Sequence, residues 1–421
     1  MLSDFETTLR LDRQVAQAAT LARPVASLTP ANAARERARL VLALARDETP
    51  VPAFGCTRQP VDRGVYRVID EARTLARACP VPSLGALYEA RLEELELDLA
   101  ILDAWGDSER VRPLSARRYG RGTELVPTRL HGEQAENGAP GRLGLSPLVQ
   151  VARTLLDTLP PRQPEPALLQ AEADPCDGRS VASLIRHAAL GIGLDVVVKV
   201  EPRLASLAAT GERTVFLSDR AFTLREARRL TAHEVFGHLV VAANARAQPL
   251  RLLQIGLAAS FADQEGVSLY LEEALGLMCS DRLRTLAARV VATVQLYEGA
   301  TFGETARYLV RDLGFGAPAA ISIAERTFRG GGVARDAGYL AGFLRVRTAI
   351  QAGEATLDEL RRGRVSLASV QVLRELALAG FVQPPCYRPS LLLSRTLTFG
   401  GTNADTSPPS DAASLTMLEL T

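Results

Sequence analysis

The feature that most constrains this chain is a His-Glu-x-x-x-His sequence, His233 and Glu234 followed by His238, inside a stretch of helical periodicity. Thr223 with Glu226 three residues later has the form of a capping box, so a helix is expected from there to about residue 243. The familiar helical zinc motif puts its two histidines four residues apart, a rotation of about 40° on a 3.6-residue helix. Five residues give about 140°, too far apart for the imidazoles to share one ion. Either the two histidines are unrelated, or the helix is overwound or bulged between them, as at a single π-type turn. The expected distortion falls at Phe236-Gly237, with Gly237 as the residue that would ease it.

Leu230, Ala232, Val235, Leu239 and Val240 surround the polar trio with apolar side chains. Buried His and Glu need partners, and a cation supplies one. A catalytic zinc ion takes three protein ligands, commonly two His and one carboxylate, and keeps a further position for water. The third ligand should come from a second helix some tens of residues on. Glu265, in the sequence ADQEGVSLYLEE, is the strongest candidate, with Asp263, Glu272 and Glu273 as competitors. The residues alone leave that choice open, because an acid in a first helical turn is also favoured by the helix dipole.

Composition narrows the function classes. The chain has 421 residues, 47% of them hydrophobic, and a formal net charge of +1, which describes a globular chain long enough for a large core or two domains. Its cations are almost all arginine, Lys199 being the one lysine, and they alternate with acids along helix faces. That pattern is a salt-bridged surface and offers no basic stripe for nucleic acid. An arginine-heavy, alanine-rich composition is associated with GC-rich bacterial genomes. Cys56, Cys79, Cys176, Cys279 and Cys386 are odd in number and widely spaced, as expected for free thiols of a reducing cytoplasm. The acidic N-terminal residues do not read as a secretory signal, and no apolar run reaches the roughly 18 residues of a membrane span. A cytoplasmic location follows as the expectation, and oligomeric state is left undetermined.

Helical periodicity recurs over residues 11–45, interrupted at Pro24 and Pro30, and over 64–78. A further helix is expected after Pro82 with Ser83 as its cap, running to about Trp105. Residues 106–145, rich in Gly, Pro and Arg and holding the lone His131, read as a loop. Two β-branched runs, 194–202 and 213–219, read as adjacent strands of a small sheet on either side of a turn-prone segment, 205–213. Downstream the pattern is helical to about residue 378. The expected fold class is α+β, predominantly α-helical, with a zincin-like catalytic domain, a small β-sheet and the His-Glu helix. The expected division is an N-terminal helical region 1–175, a catalytic region 176–390 and a disordered tail 391–421.

The wider stretch from His233 resembles the bacterial proteins known for a QEGLA motif and their eukaryotic relatives, the microtubule-associated tyrosine carboxypeptidases. The resemblance is carried by Asn244, Gln248-Pro249-Leu250, Gly256-Leu257-Ala258 and Gln264-Glu265-Gly266, in that order after the histidines. Leu87-Tyr88-Glu89, Tyr119-Gly120, Phe328-Arg329-Gly330-Gly331, Asp336 and Tyr339-Leu340 extend it to roughly residues 5–390. The chain departs from the family pattern at Phe236, Gly237, Val267 and Arg335. The hexapeptide also fits the His-Glu-x-x-Gly-His signature of dipeptidyl peptidase III, but no matching Glu-Glu-x-x-Ala-Glu/Asp segment follows.

The resemblance implies Zn²⁺ on His233, His238 and Glu265, with Glu234 as catalytic base. It implies a carboxypeptidase that acts on the C-terminus of a peptide or protein and releases a tyrosine-like residue. An oxyanion donor is then needed, for which Tyr339, Tyr270 and Arg329 are candidates, Tyr339 foremost. A guanidinium must recognise the free carboxylate, and Arg329 and Arg335, flanking the glycine-rich turn, are the expected pair. The rival expectations are a non-catalytic zinc-binding regulator, with His131 or His187 as a fourth ligand, and a peptidase dedicated to a natural-product precursor.

Overall fold

In the computed structural model of the protein, which describes residues 2–22, 30–55, 61–129, 143–161, 165–172 and 180–399, helices dominate. The N-terminal part holds α1 (Leu2–Leu21), α2 (Ala33–Ala45), α3 (Gly64–Arg77), α4 (Pro82–Asp103) and α5 (Ser108–Tyr119). An antiparallel pair, β1 (Leu125–Arg129) and β2 (Leu143–Pro147), leads into α6 (Leu148–Thr158). The 106–145 segment expected as a loop therefore contains a helix and most of a hairpin. Asp107 caps that helix by accepting from the Arg110 amide, and only Val111 and Ser115 are buried along it, which leaves no apolar stripe to read in the sequence. Ser83 is not a cap either: α4 starts at Pro82, whose fixed φ and missing N–H suit a first helical turn.

After β3 (Leu169–Gln170) and α7 (Val181–Gly191) comes the small sheet: β4 (Val197–Val200), β5 (Ala208–Thr210) and β6 (Thr214–Leu217) in the order β4-β6-β5. The two expected strands are neighbours and run parallel, Val198 opposite Val215. The segment between them supplies β5, antiparallel to β6. A three-residue Ala-Ala-Thr strand has no alternation to betray it; its pairing is made by backbone groups. β7 (Ala221–Phe222), paired with β3, then runs directly into the His-Glu helix.

That helix is α8 (Leu224–Thr231), a π-helical segment (Ala232–Leu239) and α9 (Val240–Ala247) end to end. The reciprocal Thr223–Glu226 capping box starts it as expected. Beyond it follow α10 (Leu252–Ile255), α11 (Ser260–Ala274), α12 (Ser280–Tyr297), α13 (Phe302–Arg311), α14 (Ala317–Phe328), α15 (Ala337–Gln351), α16 (Leu357–Leu360), α17 (Val370–Leu378) and α18 (Leu391–Phe399). The first nine residues of the expected tail are thus helical, with Ser394 and Thr398 buried; residues 400–421 lie outside the described residues.

Two large hydrophobic cores hold most of these elements. One joins α1, α3 and α4 (Leu84, Tyr88, Leu92, Leu95, Leu99) to α7, the three-stranded sheet and the π segment. The other joins α2 and α6 to α12, α13, α14 and α15. Each draws on residues from both sides of position 175. α11 enters both cores, Val267 and Leu271 in the first and Leu269 in the second, so the helix that carries Glu265 is fixed from two sides. No helix among the described residues is long and apolar enough to cross a membrane.

Candidate metal centre

The five-residue spacing is resolved by the π segment, Ala232–Leu239. Bonds from i to i+5 return His238 to the face of His233, and the two Nε2 atoms come within 3.2 Å. Gly237 has a different role from the one expected of it. Its φ is not positive; a Cβ there would collide with Ser268 Oγ and lie 2.9 Å from Ser268 Cβ on α11. Gly237 therefore permits close approach of the π segment to α11 and is not needed for backbone freedom. On the other side of α11, Gly266 and Gly342 meet backbone to backbone, and a Cβ on either would collide with the opposite helix. α11 is clamped between the π segment and α15 through glycines on both sides.

This clamp delivers Glu265 to the histidines. Glu265 Oε2 lies 3.3 Å from His233 Nε2 and 3.5 Å from His238 Nε2. Among the described residues these three form the group able to hold a metal ion. Tetrahedral coordination at bond lengths of about 2.0–2.2 Å requires ligand atoms about 3.3–3.6 Å apart. The observed triangle, with edges of 3.2, 3.3 and 3.5 Å, matches. Among the described residues nothing but the two imidazoles faces the buried Glu265 Oε2, an arrangement a protein tolerates where a cation is to be met. The residues present fit a bound metal ion.

The three competitors for third ligand are engaged elsewhere. Asp263 pairs with Arg345 and accepts from the Leu367 amide, and Glu273 pairs with Arg347. Glu272 lies two turns beyond Glu265 on the same face of α11, and its Oε1 is 2.7 Å from His233 Nδ1. With Nδ1–H donating there, the neutral form of the ring turns its Nε2 lone pair toward the trio. Arg282 grips the Glu272 carboxylate with two hydrogen bonds of 2.9 Å, and Arg229 reaches it at 3.4 Å. Burial opposes charge on Glu272, but Arg282 and Arg229 outweigh it and hold its pKa far below the usual range. The cluster draws positive charge: burial disfavours the imidazolium of His233, yet Glu265 and Glu272 raise its pKa to about 9. For Glu265 too, burial is outweighed by the neighbouring imidazoles, and its pKa falls well below the ordinary value.

Glu234 is buried beside the trio and accepts 2.8 Å from the hydroxyl of Thr210 at the end of β5. Residues 206–209, leading into and along β5, form one wall of a polar cavity of about 100 Å³ lined also by His233, Glu234, His238, Glu265, Tyr339 and Arg326. Tyr339, the foremost candidate for an oxyanion donor, lines this cavity. Burial above all, with the charge of Glu265 added, pushes its pKa to about 12. Tyr270 does not reach the cavity; it packs against the first core near Glu273 and Arg347.

Arg329 and Arg335, expected to meet a substrate carboxylate, are not among the cavity-lining residues. Arg335 lies over the ring of Phe261, and Gly330 in the glycine-rich turn packs on Trp105. The arginines at the cavity are Arg229, Arg282, Arg289 and Arg326. In a chain with this much arginine, nothing in the sequence separates these four from surface cations. Asp336, quoted in the resemblance without a role, binds Arg326 through both carboxylate oxygens. The polar motif residues are staples: Asn244 bonds Tyr387 N and O and Arg361 O, Gln248 bonds Gln383 N and O, and Gln264 bonds Val365 O. His187 is exposed on α7 and is not part of the cluster, and His131 lies outside the described residues.

No curated protein and no solved structure matches this chain. The family model described as microtubule-associated tyrosine carboxypeptidase matches residues 51–398, a span that holds the His-Glu helix, the Glu265 helix and every cavity-lining side chain. The chain belongs to the microtubule-associated tyrosine carboxypeptidase family.

Proposed function

We propose that the protein is a zinc-dependent carboxypeptidase that releases a tyrosine-like residue from the C-terminus of a peptide or protein. The observation that carries this reading is the triangle of His233 Nε2, His238 Nε2 and Glu265 Oε2, with a buried carboxylate, Glu234, next to it in the chain. Membership of a carboxypeptidase family gives the reaction class. Zinc is the metal this donor set suits, two imidazoles and one carboxylate being a common catalytic set.

His233, His238 and Glu265 would hold the ion. When bound it supplies Lewis-acid polarisation of the scissile carbonyl and makes water more acidic. Glu234 takes a proton from the attacking water and passes it to the leaving amine, with Thr210 holding one of its carboxylate oxygens. Tyr339 donates its hydroxyl hydrogen to the oxygen that gains charge as the carbonyl is attacked; its raised pKa keeps that proton in place. Glu272 holds the His233 ring and tautomer, and Arg282 holds Glu272. The small sheet beside the His-Glu helix supports reading this region as a zincin-like catalytic unit. The free thiols Cys79, Cys279 and Cys386 suit a cytoplasmic setting.

Glu234→Gln in the zinc-loaded protein tests the reading. Metal content stays at the wild-type stoichiometry, while release of the terminal residue from a peptide ending in tyrosine or phenylalanine falls by about 10²-fold or more. Unchanged release by this variant would remove Glu234 from the mechanism.

A further inference from the structure

Of the four arginines at the cavity, three are already committed. Arg282 makes two hydrogen bonds to Glu272, Arg229 makes one to it, and Arg326 is bidentate on Asp336. Arg289 differs. Among the described residues its guanidinium makes no hydrogen bond, and its buried Nε has only a 3.7 Å ion-pair approach to Asp336, whose oxygens are both taken by Arg326. The side chain is 14% exposed, and the guanidinium carbon lies 5.1 Å from the ring centre of Tyr339. A buried cation with an unused donor fork is costly unless a ligand completes it.

The formal charges point to the sign of that ligand. Arg229, Arg282, Arg289 and Arg326 are balanced by Glu234, Glu265, Glu272 and Asp336, so a divalent ion on the histidines leaves a surplus of two positive charges. A carboxylate is the substrate group that offsets half of it and matches the planar fork of an arginine. Arg289 also lines a neighbouring cavity of about 240 Å³, bounded by Leu207, Thr223, Cys279 and Thr285 and by the acids Glu165, Glu226 and Asp281, which gives room for a polar or neutral side chain next to a carboxylate held on Arg289.

We infer that Arg289 is the anchor for the substrate's terminal α-carboxylate, in place of Arg329 and Arg335. The assignment rests on the carboxypeptidase reading for its biological meaning, but it is tested by binding and needs no turnover. Zinc-loaded wild type, Arg289→Gln, Arg289→Lys and Arg335→Gln are titrated calorimetrically with N-acetyl-phenylalanine and with its C-terminal amide. Wild type and Arg335→Gln bind the acid at least tenfold more tightly than the amide. Arg289→Gln loses that preference, and Arg289→Lys recovers part of it, which shows that the site remains folded. A preference that persists in Arg289→Gln, one lost instead in Arg335→Gln, or none in wild type overturns the assignment. Peptide hydrolysis measured on the same preparations separates the two claims. Wild type that releases a C-terminal residue while Arg289→Gln still prefers the acid leaves the carboxypeptidase reading standing and removes the anchor. An Arg289-dependent preference without any hydrolysis does the reverse.

Discussion

Gly237→Ala is the substitution that most directly probes how the centre is assembled. The added methyl would collide with Ser268 Oγ, which can rotate away, but it would also lie 2.9 Å from Ser268 Cβ and 3.2 Å from Ser268 Cα, which cannot. Carbon atoms pack at about 3.5–4.0 Å, so the π segment and α11 must separate by roughly 0.5–1 Å. Overpacking of this kind costs about 1–3 kcal/mol. The same displacement moves His238 away from Glu265, now 3.5 Å apart. Each 1.4 kcal/mol expressed at the ligands weakens metal binding about tenfold. Urea denaturation of the metal-free protein and zinc affinity by chelator competition read the two effects. Adding Ser268→Gly removes both Oγ and Cβ and should restore at least half of each loss, even though glycine within a helix costs about 1 kcal/mol by itself. Wild-type stability and zinc affinity in Gly237→Ala would refute the packing argument. Failure of Ser268→Gly to rescue would return Gly237 to the role of a backbone hinge for the π turn.

Two further predictions concern the charges behind the ligands. Glu272→Gln keeps the shape of the side chain but loses the charge that orients His233 and neutralises Arg282; zinc affinity should fall about 10–100-fold in chelator competition while Glu265 and His238 are untouched. Glu272 and Asp336 have folded pKa values below their unfolded values of about 4.3 and 3.9. Their ionised forms are favoured in the fold, so their contribution to stability is complete above those values and is lost as pH falls below about 4. Denaturation midpoints of the metal-free protein should drop through that range, and the drop should be shallower in Asp336→Asn.

Much of the helical frame is legible in the sequence because a helix that buries one face must repeat its apolar residues, as α3, α7 and α13 do. It fails where that condition fails. α5 buries little and is studded with arginine, and β5 is three residues held by backbone pairing. The π turn is legible for a different reason: two histidines that must share a face cannot do so five residues apart on an α-helix.

What the sequence by itself determined, then, is local and periodic: the capped His-Glu helix, its forced distortion, and the helical character of the chain around it. Family resemblance in the sequence adds Glu265 to the histidines. Only the tertiary structure decided which carboxylate backs His233 and which glycines let α11 approach. It alone brought Arg289, rather than Arg329 or Arg335, to the lining of the cavity. The physical reason is that charge pairing among buried groups depends on distances of a few ångströms between helices far apart in the chain, and a sequence rich in arginine carries no mark of which ones are buried.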